Sequence, residues 1–130
     1  MKPIATIPVF HVADVDGSAS FYTNVLGFVQ SFSFGTYRGM KRGSSEIHIT
    51  LPGDFQPKIG GGTAYVICDE VDSYYATVVG RGAQPLNEPG DRMYGLRDFV
   101  VLDPDGNQLT FGKDIEEAEI GATNNPGDAQ

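Results

Sequence analysis

At 130 residues and a net charge of −8, the chain has the length of one domain, and its acidity argues against a nucleic-acid partner, which needs basic surfaces. Apolar residues make up 40%, no run approaches the ~20 needed for a membrane span, and the first residues lack the basic-then-apolar layout of a secretory leader. A cytoplasmic protein with no membrane partner is therefore expected. The single cysteine, Cys68, excludes an intrachain disulfide and sits in the apolar run Ala64-Tyr65-Val66-Ile67, with no histidine beside it to activate a nucleophile.

The acidity is uneven. From Asp114 on there are Asp114, Glu116, Glu117, Glu119 and Asp128 with no Lys or Arg, so residues 1–113 hold 12 acids against 9 bases. Residues 1–113 are read as a single domain and 114–130 as an acidic, flexible tail.

Residues 4–12 are β-rich, interrupted at Pro8; proline cannot donate to a ladder, so an edge strand or a bulge is expected there. Asp14 or Asp16 is placed to cap a helix over 17–26, whose Phe21, Tyr22, Val25 and Leu26 fall on one stripe, and Gly27 is placed to end it. Strands are expected over 28–37, 40–42 and 46–51. Residues 52–62, rich in Gly and Pro, read as a loop.

The order then repeats, with a strand over 63–68, a helix from Val71-Asp72 to Gly80, and a short strand over 84–88. Two apolar runs, 99–102 and 108–111, fold about Asp103-Pro104-Asp105-Gly106-Asn107 as a hairpin, because Pro104 presets φ and Gly106 accepts positive φ. The two helices also echo each other. Val15-Asp16 matches Val71-Asp72, and Ser20-Phe21-Tyr22 matches Ser73-Tyr74-Tyr75 at an offset three residues shorter. The layout is α+β: two βαβββ modules over about 4–53 and 62–113, joined by a linker at 54–61.

Gly95-Leu96-Arg97-Asp98-Phe99 followed by Asp103-Pro104-Asp105-Gly106-Asn107 resembles the C-terminal signature of the glyoxalase / bleomycin-resistance / extradiol-dioxygenase (vicinal oxygen chelate) superfamily. Val12-Ala13-Asp14, Phe21-Tyr22 and Leu26-Gly27-Phe28 resemble its opening words. The resemblance covers about residues 4–113 and implies the vicinal-oxygen-chelate fold, in which paired modules with curled mixed sheets enclose a cleft. It also implies metal-ligand positions, which fall at Ile7, near His48, at Thr63 and at Thr110. Isoleucine cannot ligate and threonine is a poor neutral ligand, while a catalytic site normally needs about three protein ligands. A register shift of two residues brings in Glu46 and no more. No metal and no other cofactor is expected.

Tyr94 stands where the bleomycin-resistance-like branch has a tryptophan. The branch resemblance implies a metal-independent homodimer with clefts shared between subunits, sequestering an aromatic or cationic natural product, as in antibiotic resistance. The alternative is a metal-dependent glyoxalase- or dioxygenase-type lyase or oxidoreductase using Glu46 and His48. A third reading is a metal-free enzyme with His11 or His48 as general base.

For the binder the candidate residues are aromatic walls with a few polar groups, the usual make-up of a small-molecule site. Phe32 and Phe34 share a strand face by the period-two rule, Tyr37 follows, and Phe55 and Tyr94 lie in loops. Glu46, His48, Arg38 and His11 are the polar candidates, with Arg92 beside them. Arg97 and Asp98 are expected to make structural hydrogen bonds, and the residues of the Asp103–Asn107 turn to carry no chemistry.

Overall fold

The computed structural model describes residues 1–55 and 58–115. The tail expected over 114–130 lies outside the described residues from 116 on, as do linker residues 56 and 57. Strand β1 (Val9–His11), helix α1 (Val15–Asn24), β2 (Val29–Phe34), β3 (Tyr37–Arg42) and β4 (Ser45–Thr50) form the first βαβββ module. The second module repeats that order with β5 (Thr63–Ile67), α2 (Asp72–Gly80), β6 (Gly90–Asp91), β7 (Leu96–Leu102) and β8 (Gln108–Asp114). Each module makes its own four-stranded mixed sheet, in the orders β1-β4-β3-β2 and β5-β8-β7-β6. In each, the first strand lies parallel to the last and the other pairs are antiparallel. The sheets do not close on one another.

Local chemistry sets most of the boundaries. The Asp14 carboxylate accepts from Gly17 N–H at 3.1 Å, which starts α1 at Val15, two residues before the expected point. Gly27, at φ 79°, turns the chain so that Phe28 N–H returns to the Tyr22 carbonyl at 2.8 Å. The strand expected over 4–12 shrinks to three residues. Pro8 has no N–H and offers only its carbonyl, which accepts from His48 N–H at 3.0 Å, so pairing begins there on an edge strand.

Two expected strands are recut. Residues 28–37 are not one strand: Gly35, at φ 62°, reverses the chain through a tight hairpin, and Tyr37 opens β3, pairing with Phe34. Residues 84–88 form no strand. Pro85 makes a single bridge to Val101, Asn87 caps Val100 N–H with its side chain at 2.8 Å, and the edge strand is Gly90–Asp91. Pro85 within that stretch and Pro89 just after it lack the donors a ladder requires.

The helices cover one face of each sheet. Phe10, Met40, Ile47 and Ile49 of the first sheet and Phe99, Val101, Leu109 and Phe111 of the second are at most 2% exposed and join Tyr22, Leu26 and Val78 in one continuous core. Polar contacts fasten the modules to each other. The Asp103 carboxylate accepts from the backbone N–H groups of Asp105 and Asn107 and from the Asn107 side chain, each at 2.9 Å, and from the Tyr22 hydroxyl at 3.1 Å. Asn107 in turn accepts from Gly62 N–H at 2.9 Å and donates to the His11 carbonyl at 3.3 Å. The Tyr74 hydroxyl donates to the Leu26 carbonyl at 2.7 Å, and burial pushes its pKa up to about 12. The turn is thus a lock between modules as well as a reversal.

Candidate functional site

Side chains alternate across a strand, so covering one face of each sheet with helices leaves the other face open. In the first sheet Val9, His48, Gly39 and Phe32 lie in register across four strands, and Phe34 pairs with Tyr37. In the second, Ile67, Gly112, Asp98 and Gly90 align in the same way, with Tyr65, Thr110 and Val100 beside them. Large apolar groups stand exposed on both open faces: Phe34 is 83% exposed, Ile67 60% and Tyr94 60%.

On the first open face, four of the residues singled out from the sequence come together. The Tyr37 hydroxyl lies 2.8 Å from His48 Nδ1, and His48 Nε2 lies 2.7 Å from Glu46 Oε2. A carboxylate only accepts and a neutral imidazole has one donor and one acceptor, so Nε2 carries the proton and Nδ1 accepts from Tyr37. Phe32 stacks on Tyr37 with ring centroids 6.1 Å apart and meets His48 edge-on at 5.1 Å. Phe32 can lie so low because it crosses Gly39, where a Cβ would collide with its ring. Gly39→Ala should therefore push Phe32 off Tyr37 while costing about 1 kcal/mol or less, since the partly exposed ring can swing outward. Loss of Phe32–Tyr37 ring NOEs with a nearly unchanged melting temperature is the expected reading.

The second open face holds a cluster that the sequence reading assembled only in part. Asp98 is 2% exposed, and its carboxylate accepts from the Tyr65 hydroxyl at 2.7 Å, the Tyr94 hydroxyl at 2.6 Å and Arg92 Nε at 2.8 Å. Arg92 also donates to the Asp98 carbonyl at 2.9 Å. Burial opposes the charge on Asp98, but the hydrogen bonds from Tyr94, Arg92 and Tyr65 outweigh it and hold the carboxyl below the usual carboxylate range. The same contacts raise the partners: the Tyr94 hydroxyl through its bond to Asp98, and that of Tyr65 through burial and then Asp98. Tyr65 crosses Gly112 much as Phe32 crosses Gly39. The signal for Tyr65 was available in the sequence, because alternation along 63–68 opposes it to Ala64 and Val66.

The other candidates lie apart. His11, at the end of β1 and paired with Thr50, lines a pocket of about 290 Å³ with Val9 and Gly60, Gly61 and Gly62. Phe55 is 97% exposed in the loop after β4. Arg38 pairs with Ile49 and so points to the helix-covered side, where it bonds Asp16 at 2.7 Å and Gln30 at 3.2 Å. Arg97 also turns away from the open face, bridging Asp72 at 2.8 Å and Asp91 at 3.0 Å. A further pocket of about 530 Å³, lined by Arg42, Cys68, Glu70 and Tyr74 among others, lies between the modules, and burial pushes the Cys68 thiol up, away from nucleophilic reactivity.

The donor set does not suit a catalytic metal ion. Ile7 precedes β1, and the open-face residues of β5 and β8 are Thr63, Tyr65, Ile67, Gln108, Thr110, Gly112 and Asp114. Among the described residues no three His, Cys, Asp or Glu side chains gather as ligands would.

Residues 7–111 match the family model of the Glyoxalase/Bleomycin resistance protein/Dioxygenase superfamily. The chain belongs to that superfamily. Solved superfamily structures share its fold. A member from Sphaerobacter thermophilus has a TM-score of 0.76 at 23% identity, covering 87% of this chain and 98% of its own. The bleomycin-binding protein of bleomycin-producing Streptomyces verticillus, complexed with copper(II)-bleomycin, scores 0.73 at 23% identity over 89% and 99%. Lactoylglutathione lyase from Agrobacterium tumefaciens scores 0.72 at 17% identity over 86% and 94%. A bleomycin-binding protein and a lactoylglutathione lyase thus share this fold, and no curated protein matches the chain. Within the superfamily, function has to be argued from the open faces.

Proposed function

We propose that this superfamily member is a metal-independent small-molecule-binding protein that sequesters a planar aromatic or cationic compound. The observation that carries the reading is the pair of open sheet faces, each presenting aromatic rings anchored by buried or half-buried polar groups. Phe32, Phe34 and Tyr37 stand over Glu46 and His48 on one face, and Tyr65 and Tyr94 over Asp98 on the other. Flat rings of this kind favour conjugated ligands through offset stacking, and they and the half-buried Glu46 carboxylate favour a positive charge. The likeness to a protein complexed with copper(II)-bleomycin supports a ligand of natural-product size.

Among the described residues none covers either face, and so much exposed apolar surface favours association. The reading therefore includes a homodimer in which the first sheet of one subunit faces the second sheet of its partner. That symmetric arrangement covers all the open faces at once and makes two equal clefts. His11 and Phe55 then belong to the rim.

Native mass spectrometry of gently purified protein tests assembly and content together. A metal-free dimer is expected; one tightly held Mn, Fe, Ni or Zn per chain overturns the reading. With bleomycin as the calorimetric probe, Tyr94→Ala is expected to weaken binding at least tenfold, since a stacked ring contributes on that order. Equal affinity of variant and wild type removes Tyr94 from the site.

A further inference from the structure

We propose that Glu46, His48 and Tyr37 form a metal-free proton relay in which the Tyr37 oxygen is a general base toward α-aryl ketones, whose ring sits on the acidic carbon. The inference rests on the open face of the first sheet being the ligand cleft. It adds an activity to a site otherwise read as a binder.

The geometry is that of a hydroxyl whose proton is already aimed at a base, which is in turn oriented by a carboxylate: Tyr37 Oη to His48 Nδ1 at 2.8 Å, and His48 Nε2 to Glu46 Oε2 at 2.7 Å. The same order of groups activates the nucleophile in hydroxyl-imidazole-carboxylate hydrolases, but here the hydroxyl is a phenol. A phenol gives up its proton more readily than an alkyl hydroxyl, so less help from the imidazole is required. The lone pairs of Tyr37 not pointed at His48 remain free for a substrate proton. Phe32 screens the Tyr37–His48 bond on one side, and the His48 side chain is only 15% exposed. Lys41, across from Glu46, and His11, at the end of β1, are the other ionisable groups on this sheet face.

The step balances without a co-reactant. The substrate C–H bond breaks, its electron pair forms the new C=C bond, and the carbonyl π pair moves onto oxygen, giving an enolate. The proton goes to Tyr37 Oη while the Tyr37 proton passes to His48 Nδ1, leaving an imidazolium paired with Glu46. Reversal returns a proton to carbon or to the enolate oxygen, so the reaction class is tautomerisation or isomerisation of an α-aryl ketone. Tyr37 is the catalytic residue; His48 and Glu46 are positioning residues that accept and hold the charge.

Phenylacetone in D2O with EDTA is the probe, with loss of its CH2 proton signal as the readout of exchange and saturation-transfer NMR as the readout of binding. Wild type is expected to exchange at least about 100-fold faster than Tyr37→Phe, which keeps the ring and its stack, with both proteins binding the probe. Glu46→Gln still accepts from Nε2 but lacks the charge, and is expected to lose about tenfold or more in exchange rate at unchanged affinity. No saturation transfer from wild type overturns the cleft reading and the relay with it. Binding without exchange above buffer, or Tyr37→Phe exchanging as fast as wild type, overturns the relay alone.

Discussion

Asp103→Ala is expected to lower the stability of the domain by about 3–4 kcal/mol, a large share of the roughly 5–15 kcal/mol typical of a native domain. Asp103 is 4% exposed, and its carboxylate accepts four hydrogen bonds at 2.9 to 3.1 Å. Each bond to a charged group contributes about 1.5–3 kcal/mol net, but bonds sharing one acceptor do not add, which keeps the total below their sum. The truncation also strands the Tyr22 hydroxyl, which is buried and whose pKa is already pushed up by that burial and by the neighbouring carboxylate. Tyr22 belongs to α1 and Asp103 to the turn after β7, so the loss falls on the joint between modules. Urea unfolding should show a midpoint shift of that size. Asp103→Asn, which keeps an acceptor, should lose about half as much, and a shift under about 1 kcal/mol for Asp103→Ala would mean that the turn holds itself without the carboxylate.

This turn also shows where sequence reading reached and where it stopped. Pro104 and Gly106 identify a reversal from local chemistry alone, and Gly106 does adopt φ 87°. Nothing local says that Asp103 faces Tyr22, 81 residues away, because that contact follows from how two modules pack. The open faces divide in the same way. Alternation placed Phe32 with Phe34, and Glu46 with His48. It did not place Tyr37 against His48, because that needs the register His48 to Gly39, which the hairpin at Gly35 sets. With residues 28–37 read as one strand, the turn was invisible and Arg38 stayed among the cleft candidates. Once Tyr37 opens β3, alternation sends Arg38 to the helix side and to Asp16. Asp98 was read as a structural acceptor at a strand start. Its partners come from two segments, Tyr65 from β5 and Arg92 and Tyr94 from the turn between β6 and β7, and only the fold brings Tyr65 to the carboxylate that the turn already faces.

Asp98→Ala is expected to cost about 2–3 kcal/mol and to weaken ligand binding more than Tyr94→Phe does. Removing one partner of a buried charged pair costs about 3–5 kcal/mol, and the figure here is lower because Arg92 and both tyrosines retain a path to water. The effect on binding follows from geometry. Tyr94 sits on the turn before β7, and its bond to Asp98 at 2.6 Å holds an exposed ring upright on the sheet; without it the ring loses its fixed position and ordering it again opposes binding. The pH dependence separates charge from shape. The folded pKa of Asp98 is depressed, so its ionisation contributes stability that is complete above the unfolded value, near pH 4, and is lost as pH falls from there through the folded value. Wild type should therefore exceed Asp98→Asn in stability at neutral pH, with the gap narrowing below about pH 4. A gap that stays constant down to pH 2 would show that Asp98 acts through shape and hydrogen bonds alone.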